Sequence, residues 1–292
     1  MEMDIFYKKQ TINCDGRLID FSRPLVMGIL NVTPDSFYAP SRASNESEAV
    51  VRAETILKEG GSIIDIGAYS SRPGADDISA DEEYRRLRPA VSAVRRHFPE
   101  AFLSIDTFRA EIVRRLFDEF GAFMVNDISA GMFDAGMIPA VAELGLPYIA
   151  MHTSATPAEM QKPENCEYED VVTDVAAFFT NRRHECMQAG IKDIVIDPGF
   201  GFGKTFDDNY RLLAGLDVMK LFGCPVLVGL SRKSMFSRLL GTDAEHTAAA
   251  TLAAQTIALQ KGADILRVHD VKQARDAVLV VEETGKYEKW DL

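Results

Sequence analysis

The sequence lacks several patterns that mark common classes of protein. Its four cysteines, Cys14, Cys166, Cys186 and Cys224, are widely spaced and form no C-x-x-C pair. This spacing argues against a disulfide framework or a zinc knuckle. No H-E-x-x-H motif and no G-x-S-x-G motif occurs, so neither a zinc protease nor an α/β-hydrolase nucleophile is indicated. We expect reduced thiols in a cytoplasmic protein.

Positive charge and long apolar runs are also scarce. The 292 residues include 32 Lys and Arg against 44 Asp and Glu, which gives a formal net charge of −12. That balance argues against binding of nucleic acid or of an anionic membrane. No apolar run approaches the ~20 residues that span a bilayer, and residues 1–10 lack the apolar core of a signal peptide. An anionic substrate would therefore need its own local arginines and lysines.

The sequence does contain a repeated order of apolar strand, polar loop, amphipathic helix and glycine. The predicted strands are Leu25–Leu30, Ile63–Ile66, Phe102–Ile105, Phe123–Val125, Tyr148–Met151, Ile194–Ile196, Val226–Leu230 and Asp264–Val268. Short strands that are apolar on both faces and separated by helices predict a parallel sheet covered by helices. Eight such units favour an α/β fold of the (β/α)8 TIM-barrel type, and a doubly wound open sheet is the alternative.

The first 24 residues predict a β-hairpin ahead of the barrel. Two short alternating runs flank the pair Asp15-Gly16, which is typical of tight hairpin turns. No linker or low-complexity segment interrupts the rest of the chain. We therefore predict a single domain over residues 1–292, with residues 1–24 as its hairpin extension.

Polar residues lie at the carboxyl end of nearly every predicted strand. They are Asn31, Asp65, Asp106, Asn126, His152, Asp197, the group Ser231-Arg232-Lys233-Ser234, Arg267 and His269. Any one of them alone is typical of a turn or a helix N-cap, and for Asp65 a cap and a role in supporting the following loop are equally open. In a barrel, however, these strand ends share the face on which active sites are built. The ring as a whole predicts a site there.

The residue types bound the chemistry of that site. Carboxylate and amide groups of Asp106, Asn126 and Asp197 suit a flat, donor-rich heterocycle such as an aminopyrimidinone. Arg72, together with Arg267 and His269, suits phosphate groups. Asn31 is a neutral oxygen ligand, and Mg²⁺ that keeps waters and substrate phosphates would need only one such weak protein ligand.

The segment D-P-G-F-G-F-G-K at residues 197–204 looks like a phosphate loop but fits neither known pattern. A P-loop needs glycine where Pro198 lies, and a dinucleotide-binding turn needs glycine where Lys204 lies. We interpret the segment as a turn whose glycines let the backbone approach a flat ligand closely.

Seven motifs in chain order resemble those of the dihydropteroate synthase family. They are V-M-G-I-L-N-V-T-P-D-S-F (26–37), D-I-G-A-Y-S-S-R-P-G-A (65–75), S-I-D-T (104–107), N-D-I-S (126–129), D-P-G-F-G-F-G-K (197–204), S-R-K-S (231–234) and R-V-H-D (267–270). That family joins 6-hydroxymethyl-7,8-dihydropterin diphosphate to 4-aminobenzoate in folate synthesis. The resemblance implies a TIM barrel that uses Mg²⁺, forms homodimers and is a target of sulfonamides.

The resemblance also implies roles for individual residues. The implied pterin contacts are Asp106, Asn126, Ile128, Met151, Asp197, Phe202, Gly229, Lys233 and Arg267. Asn31, Arg72, Arg267 and His269 would hold the diphosphate, with Asn31 as the Mg²⁺ ligand. Phe37, Ser71, Pro73, Phe202, Lys233 and Ser234 would form the aminobenzoate pocket. Among these, Asn31, Asp106, Lys233 and Arg267 are the implied catalytic residues.

The sequence departs from the family pattern at two places and leaves three rival functions open. Ala68-Tyr69 replaces Gly-Glu, and Thr153-Ser154 falls where the family has Met-Gln. One rival is an aldolase with a Schiff base on Lys233. The second is a domain that transfers a methyl group from a folate, and the third is a module that binds pterin without turnover.

Overall fold

The structure is a computed structural model that describes residues 9–32, 42–69, 77–157, 159–160 and 162–287. A hairpin of β1 (Thr11–Cys14) and β2 (Arg17–Asp20) comes first. The parallel strands are β3 (Leu25–Asn31), β4 (Ile63–Gly67), β5 (Phe102–Asp106), β6 (Met124–Asp127), β7 (Tyr148–Met151), β8 (Ile194–Asp197), β9 (Leu227–Val228) and β10 (Ile265–Val268). The α-helices are α1 (Arg42–Lys58), α2 (Ala80–His97), α3 (Ala110–Phe120), α4 (Met137–Leu144), α5 (Val171–Ala189), α6 (Phe206–Ala214), α7 (Ser234–Leu240), α8 (Ala248–Gln260) and α9 (Val271–Gly285).

The parallel strands close into a barrel. They lie in the order β8-β7-β6-β5-β4-β3-β10-β9. The ring is completed where Ile196 of β8 forms a parallel bridge with Val226 and donates its N–H to the carbonyl of Pro225 at 3.0 Å. The predicted (β/α)8 barrel with an N-terminal hairpin is confirmed, and the open-sheet alternative is wrong. The single-domain prediction covers residues outside the described ranges and stays a prediction.

The predicted strand bounds differ most from the structure at β9. We predicted a strand over Val226–Leu230, but only Leu227 and Val228 form regular ladder pairs. The N–H of Val226 donates to the Asp264 side chain at 2.9 Å, so a side chain takes the place of a ladder partner. At β6 the strand begins at Met124 and reaches Asp127, one residue later at its start and two residues later at its end than predicted.

The hairpin closes the amino-terminal end of the barrel. Its buried side chains, Ile12, Cys14, Ile19 and Phe21, form one apolar cluster with Met27, Ile63, Met124, Ile149, Val195, Leu227 and Ile265 from inside the strands. Arg17 adds a cation–π contact, 4.6 Å from the ring centroid of Phe102. Because apolar packing closes this end, the carboxyl end is where polar side chains inside the barrel are accessible to a ligand.

Replacing Ile19 by alanine tests whether this apolar plug, the hairpin side chains packed into the amino-terminal end of the barrel, stabilises the fold. Ile19 is 2% exposed, whereas its neighbour Leu18 is 65% exposed on the same short strand. We expect Ile19→Ala to lower the free energy of unfolding by about 2–4 kcal/mol, because a buried methyl-rich side chain is lost and a cavity remains. Leu18→Ala is the matched control and should stay within about 0.5 kcal/mol of the parent. Urea titration followed by circular dichroism measures both, and equal losses would contradict the plug.

Candidate active site

The side chains inside the barrel change from apolar to polar along four of the strands, β4, β6, β8 and β10. In a strand, residues two apart point to the same face. Three strands of the inner cluster show the change directly, since Ile63 precedes Asp65, Met124 precedes Asn126, and Val195 precedes Asp197 by two residues. Ile265 precedes Arg267 in the same way. The pleat therefore gathers these polar groups above the apolar plug.

Arg267 lies at the centre of this polar group. Its Nε donates to Asp65 Oδ2 at 2.6 Å, and its Nη2 donates to Asp106 Oδ2 at 2.6 Å. Burial opposes the guanidinium charge, but the two carboxylates outweigh it and raise the pKa of Arg267 above its ordinary value. The guanidinium is therefore charged, and two of its nitrogens, Nε and Nη2, are each held by a different carboxylate.

The position of Asp65 contradicts one of the two roles left open by the sequence, the strand-end cap, and leaves its support of the following loop as a prediction. It is the third residue of β4, not its end, and its side chain is fully buried. Oδ2 accepts from Arg267 and also from Asn126 Nδ2 at 3.2 Å. Oδ1 has no hydrogen-bond partner among the described residues. Asp65 thus aligns two groups of the predicted site, and the strand-end cap is wrong.

Two further carboxylates offer acceptors at the mouth of the barrel. The side chain of Asp106 is 21% exposed, and burial raises its pKa to about 7 although Arg267 opposes the shift. Asp197 is 5% exposed and accepts from the N–H of Gly199 at 2.8 Å. Burial also raises the pKa of Asp197, with Gly199 and Lys233 opposing. Both groups gain from a ligand that donates hydrogen bonds to them.

Lys233 and Phe202 form one side of the mouth. Lys233 is the N-cap residue of α7, and its Nζ lies 4.4 Å from the centroid of the Phe202 ring. Burial lowers the pKa of Lys233 to about 8, with Asp197 opposing. A Cβ added at Gly229 would meet no atom within 4 Å, so glycine leaves open space beside β9. Ile128 and Met151 are buried, and Ser234 is exposed.

The groups predicted for phosphate lie on the neighbouring strands β3 and β10. Asn31 ends β3 and is paired with Gly67 across the sheet. His269 follows β10, and its backbone N–H donates to Ser231 Oγ at 3.3 Å. Burial, with Arg267 and Arg232 nearby, lowers the pKa of His269 to about 4, so the free imidazole is neutral at pH 7. Four predicted residues, Phe37, Ser71, Arg72 and Pro73, lie outside the described residues.

The glycine-rich turn after β8 contains a residue whose position the sequence did not predict. Gly199, Gly201 and Gly203 all have positive φ, at 71°, 81° and 61°. Lys204 is 4% exposed, and its Nζ donates to the carbonyls of Gly199 at 2.9 Å and Phe202 at 3.0 Å. In the sequence, Lys204 only excludes a dinucleotide-binding turn and has no predicted role of its own. A lysine directly after three glycines was the available signal.

A buried network also shapes the loop after β6. Asp127 accepts from Ser129 N–H and Oγ, both at 2.8 Å, from Gly131 N–H at 2.7 Å and from Tyr148 Oη at 2.7 Å. This network fixes the backbone on both sides of Ile128. Sequence reasoning missed it because Asp127 and Tyr148 lie 21 residues apart.

The two departures from the family pattern have defined positions. Ala68 is fully buried, and the Tyr69 ring packs edge-on against Phe108 at a centroid distance of 4.9 Å. Thr153 is buried, and its hydroxyl donates to the carbonyl of Ala155 at 2.9 Å. Neither departure replaces a member of the polar group around Arg267.

A family model matches this barrel. Residues 27–269 match the model described as pterin binding enzyme, which covers the strands from β3 to β10. The class defined by the fold and the site is therefore a pterin-binding barrel enzyme.

Curated relatives narrow the class. The chain is 42% identical over 271 residues to the dihydropteroate synthase of Escherichia coli strain K12, covering 92% of this chain and 94% of that protein. The Haemophilus influenzae enzyme of the same name is 41% identical and covers 93% of this chain and 98% of its own length. This chain belongs to the dihydropteroate synthase family of pterin-binding enzymes.

Solved structures agree in fold with this chain. A Yersinia pestis dihydropteroate synthase, solved with a sulfonamide drug, has a TM-score of 0.87 at 40% identity, covering 94% of this chain and 99% of that one. The Xanthomonas albilineans enzyme, solved with 4-aminobenzoic acid, has a TM-score of 0.83 at 38% identity, covering 94% of this chain and 98% of that one.

Proposed function

We propose that the mouth of the barrel joins 6-hydroxymethyl-7,8-dihydropterin diphosphate to 4-aminobenzoate, giving 7,8-dihydropteroate and diphosphate. The observation that carries this proposal is the polar group in which Asp65 and Asp106 hold Arg267. A charged, flat guanidinium beside acceptor-only carboxylates suits a flat ring with several N–H donors. The family membership supplies the two substrates.

The pterin ring would be read by hydrogen bonds from three sides. Asp106 and Asp197 would accept from its ring and amino N–H groups, while Asn126 and Lys233 would complete the pattern. Arg267 would lie against the ring face, and Ile128 and Met151 would add apolar contact. Each polar group would lose its water on binding, so a missing partner would cost about 1–3 kcal/mol. That penalty makes the site selective for the pterin edge.

The diphosphate would lie between Asn31, Arg267 and His269, with Arg72 from the loop that follows β4. No group of three or more His, Cys, Asp or Glu side chains suited to a metal occurs within the described ranges. One amide oxygen from Asn31 fits Mg²⁺ that keeps waters and the substrate's phosphate oxygens as its other ligands. Mg²⁺ bound there would stabilise negative charge on the departing diphosphate.

Departure of the diphosphate would leave a positively charged methylene group on the pterin. Asp106 and Asp197 would stabilise that charge through the ring nitrogens that they contact. The amine of 4-aminobenzoate is neutral at pH 7 and would attack the methylene without a strong general base. The new C–N bond would replace the broken C–O bond, and the extra proton on nitrogen would pass to the departing diphosphate. Phe202, Lys233 and Ser234 would hold the aminobenzoate, together with Phe37, Ser71 and Pro73.

The three rival functions have less support. The family comparisons favour neither an aldolase on Lys233 nor a folate methyl-transfer domain, since the most similar relatives named above are dihydropteroate synthases. A pterin-binding module without turnover would not need Asn31 and His269, which are assigned only to the diphosphate.

Product formation tests the proposal directly. The purified protein, given the pterin diphosphate, Mg²⁺ and 4-aminobenzoate, should release diphosphate in step with dihydropteroate. Without 4-aminobenzoate it should form no dihydropteroate, and only slow release of diphosphate by attack of water should remain. A sulfonamide should compete with 4-aminobenzoate. Tight pterin binding with no diphosphate release in either condition would leave the binding module as the function.

The pH dependence of kcat/KM for the pterin diphosphate should be bell-shaped. The carboxylate form of Asp106, with a pKa raised by burial to about 7, is the form that accepts from the pterin, so activity should rise as pH increases through 7. The ammonium form of Lys233, with a pKa lowered by burial to about 8, is the donor, so activity should fall above 8. Free-enzyme groups set this profile, and a flat profile from pH 6 to 9 would contradict both assignments.

We also propose that the protein is a cytoplasmic homodimer. Leu239 and Leu240 on α7 and Ile257 on α8 are large apolar side chains that are 56%, 52% and 43% exposed, and pairing two copies would remove such surface from water. Analytical ultracentrifugation would measure the state. In the described ranges, no helix is both long and apolar enough to cross a bilayer.

A further inference from the structure

The turn over residues 199–203 is built around the buried side-chain amine of Lys204. Nζ of Lys204 donates to the carbonyls of Gly199 and Phe202 and lies 2.9 Å from Nδ1 of His152. Burial lowers the pKa of Lys204 to about 7, with Asp197 opposing, so both protonation states are present at neutral pH. The ammonium form has three N–H donors, and these three partners use all of them. Because Lys204 is 4% exposed, water does not replace any partner that is lost.

Two of the three partners, the carbonyls of Gly199 and Phe202, belong to the first and last residues of the segment 199–202. The Gly199 carbonyl also accepts from the Phe202 N–H at 3.1 Å, so both backbone polar groups of Phe202 are tied to Lys204 or to a carbonyl that it holds. The Phe202 ring in turn lies under Nζ of Lys233. Lys204 therefore fixes the position of the Phe202 ring at the mouth of the barrel.

His152 anchors this arrangement to the barrel wall. Its N–H donates to the Asp197 carbonyl at 2.9 Å, and its ring packs edge-on against Phe178 at 4.9 Å. Burial and the nearby Lys204 lower the pKa of His152 to about 2, so the ring is neutral and Nδ1 is free to accept from the ammonium. A Cβ added at Gly199 would lie 1.9 Å from the His152 carbonyl oxygen, so the turn sits directly on this residue.

We infer that Lys204 and His152 are positioning residues, which place Phe202 as the wall against which 4-aminobenzoate binds. The inference rests on the proposed function, because the aminobenzoate pocket is part of it. Asp197 has its own anchor on strand β8, whereas Phe202 depends on the turn. Loss of the ammonium should therefore weaken aminobenzoate binding more than pterin binding.

The test compares Lys204→Met with two variants of its partner. Methionine keeps a long unbranched side chain but donates to none of the three acceptors. We expect Lys204→Met to raise KM for 4-aminobenzoate roughly tenfold, about 1.4 kcal/mol, while kcat and KM for the pterin diphosphate change less. His152→Phe, which removes Nδ1, should shift KM the same way. In His152→Asn the side-chain oxygen takes the position of Nδ1, so KM for 4-aminobenzoate should return to near the parent value.

Tyr168→Phe is the matched control within the same turn. The Tyr168 hydroxyl donates to the Gly203 carbonyl at 2.8 Å, but that carbonyl does not belong to Phe202. Loss of this hydrogen bond in Tyr168→Phe should lower the melting temperature. KM for 4-aminobenzoate should stay within about twofold of the parent, a change below about 0.5 kcal/mol. A melting temperature that falls in Lys204→Met with KM unchanged would overturn the inference and leave Lys204 as a structural residue only.

Hydrogen exchange in the free protein provides a readout that does not depend on activity. Peptides spanning residues 197–206 should exchange faster in Lys204→Met than in the parent or in Tyr168→Phe, and equal protection would also overturn the inference. If the parent protein forms no dihydropteroate, the proposed function fails. The exchange experiment still decides whether Lys204 holds the turn.

Discussion

Replacing Asp106 by asparagine should weaken pterin binding by about 150-fold or more while the fold remains intact. The carboxylate is an acceptor-only group at the mouth, paired with Arg267 at 2.6 Å, and the amide would place an N–H donor among donors. Loss of a charged hydrogen bond in a desolvated site should weaken pterin affinity by roughly 3 kcal/mol or more, about 150-fold. Isothermal titration with the pterin diphosphate measures it, and Asp106→Ala should lose at least as much.

The control for this variant is Asp81→Asn. Asp81 also pairs with an arginine, Arg115, at 2.8 Å, but its side chain is 87% exposed on α2. An exposed ion pair contributes about 0–1 kcal/mol, so pterin affinity should be unchanged. If Asp106→Asn bound pterin with normal affinity, the assignment of Asp106 to the pterin site would be wrong. Its raised pKa would then have no role in the function.

Replacing Asp65 by asparagine should damage both stability and catalysis. Asp65 is fully buried and balances the charge of Arg267 through a 2.6 Å contact. Removing one partner of a buried ion pair costs about 3–5 kcal/mol of unfolding free energy. Since the same carboxylate orients Arg267 and Asn126, kcat/KM should also fall by roughly 10³-fold, equivalent to about 4 kcal/mol of transition-state stabilisation.

A double variant separates the two effects. Arg267→Met alone leaves Asp65 buried without its cation, whereas Asp65→Asn with Arg267→Met removes both charges. The double variant should recover much of the stability lost in either single variant, as measured by urea unfolding, and should remain inactive. Recovery of activity along with stability would mean that Asp65 and Arg267 have no role beyond holding the fold.

Strand periodicity explains why much of the site was predictable. Asn31, Asp106 and Asp197 each end a strand in the structure, and Asn126 is the last residue but one of β6, as their positions after apolar runs indicated. Parallel strands point their carboxyl ends at one face, so topology alone brings these residues to the same edge. The glycines after the predicted helices behaved similarly, and Gly145 and Gly190 cap α4 and α5 with positive φ.

Long-range contacts explain what was missed. Asp65 had to be read as a cap or a loop support, because its partner Arg267 lies 202 residues away. Lys204 Nζ lies 2.9 Å from His152 Nδ1 across 52 residues, and β9 begins only after Val226, whose N–H donates to Asp264, 38 residues on. Each of these pairs is chosen by burial, where an unpaired polar group is costly.

The barrel, its hairpin and the ring of polar strand ends were predictable without the structure, because they follow from local periodicity and from the order of motifs along the chain. The tertiary structure alone decided which charge is paired with which. Arg267 lies between Asp65 and Asp106, and Lys204 is turned beneath Phe202. Pairing of buried charges depends on distances between strands and loops that are remote in sequence, and no local pattern encodes those distances.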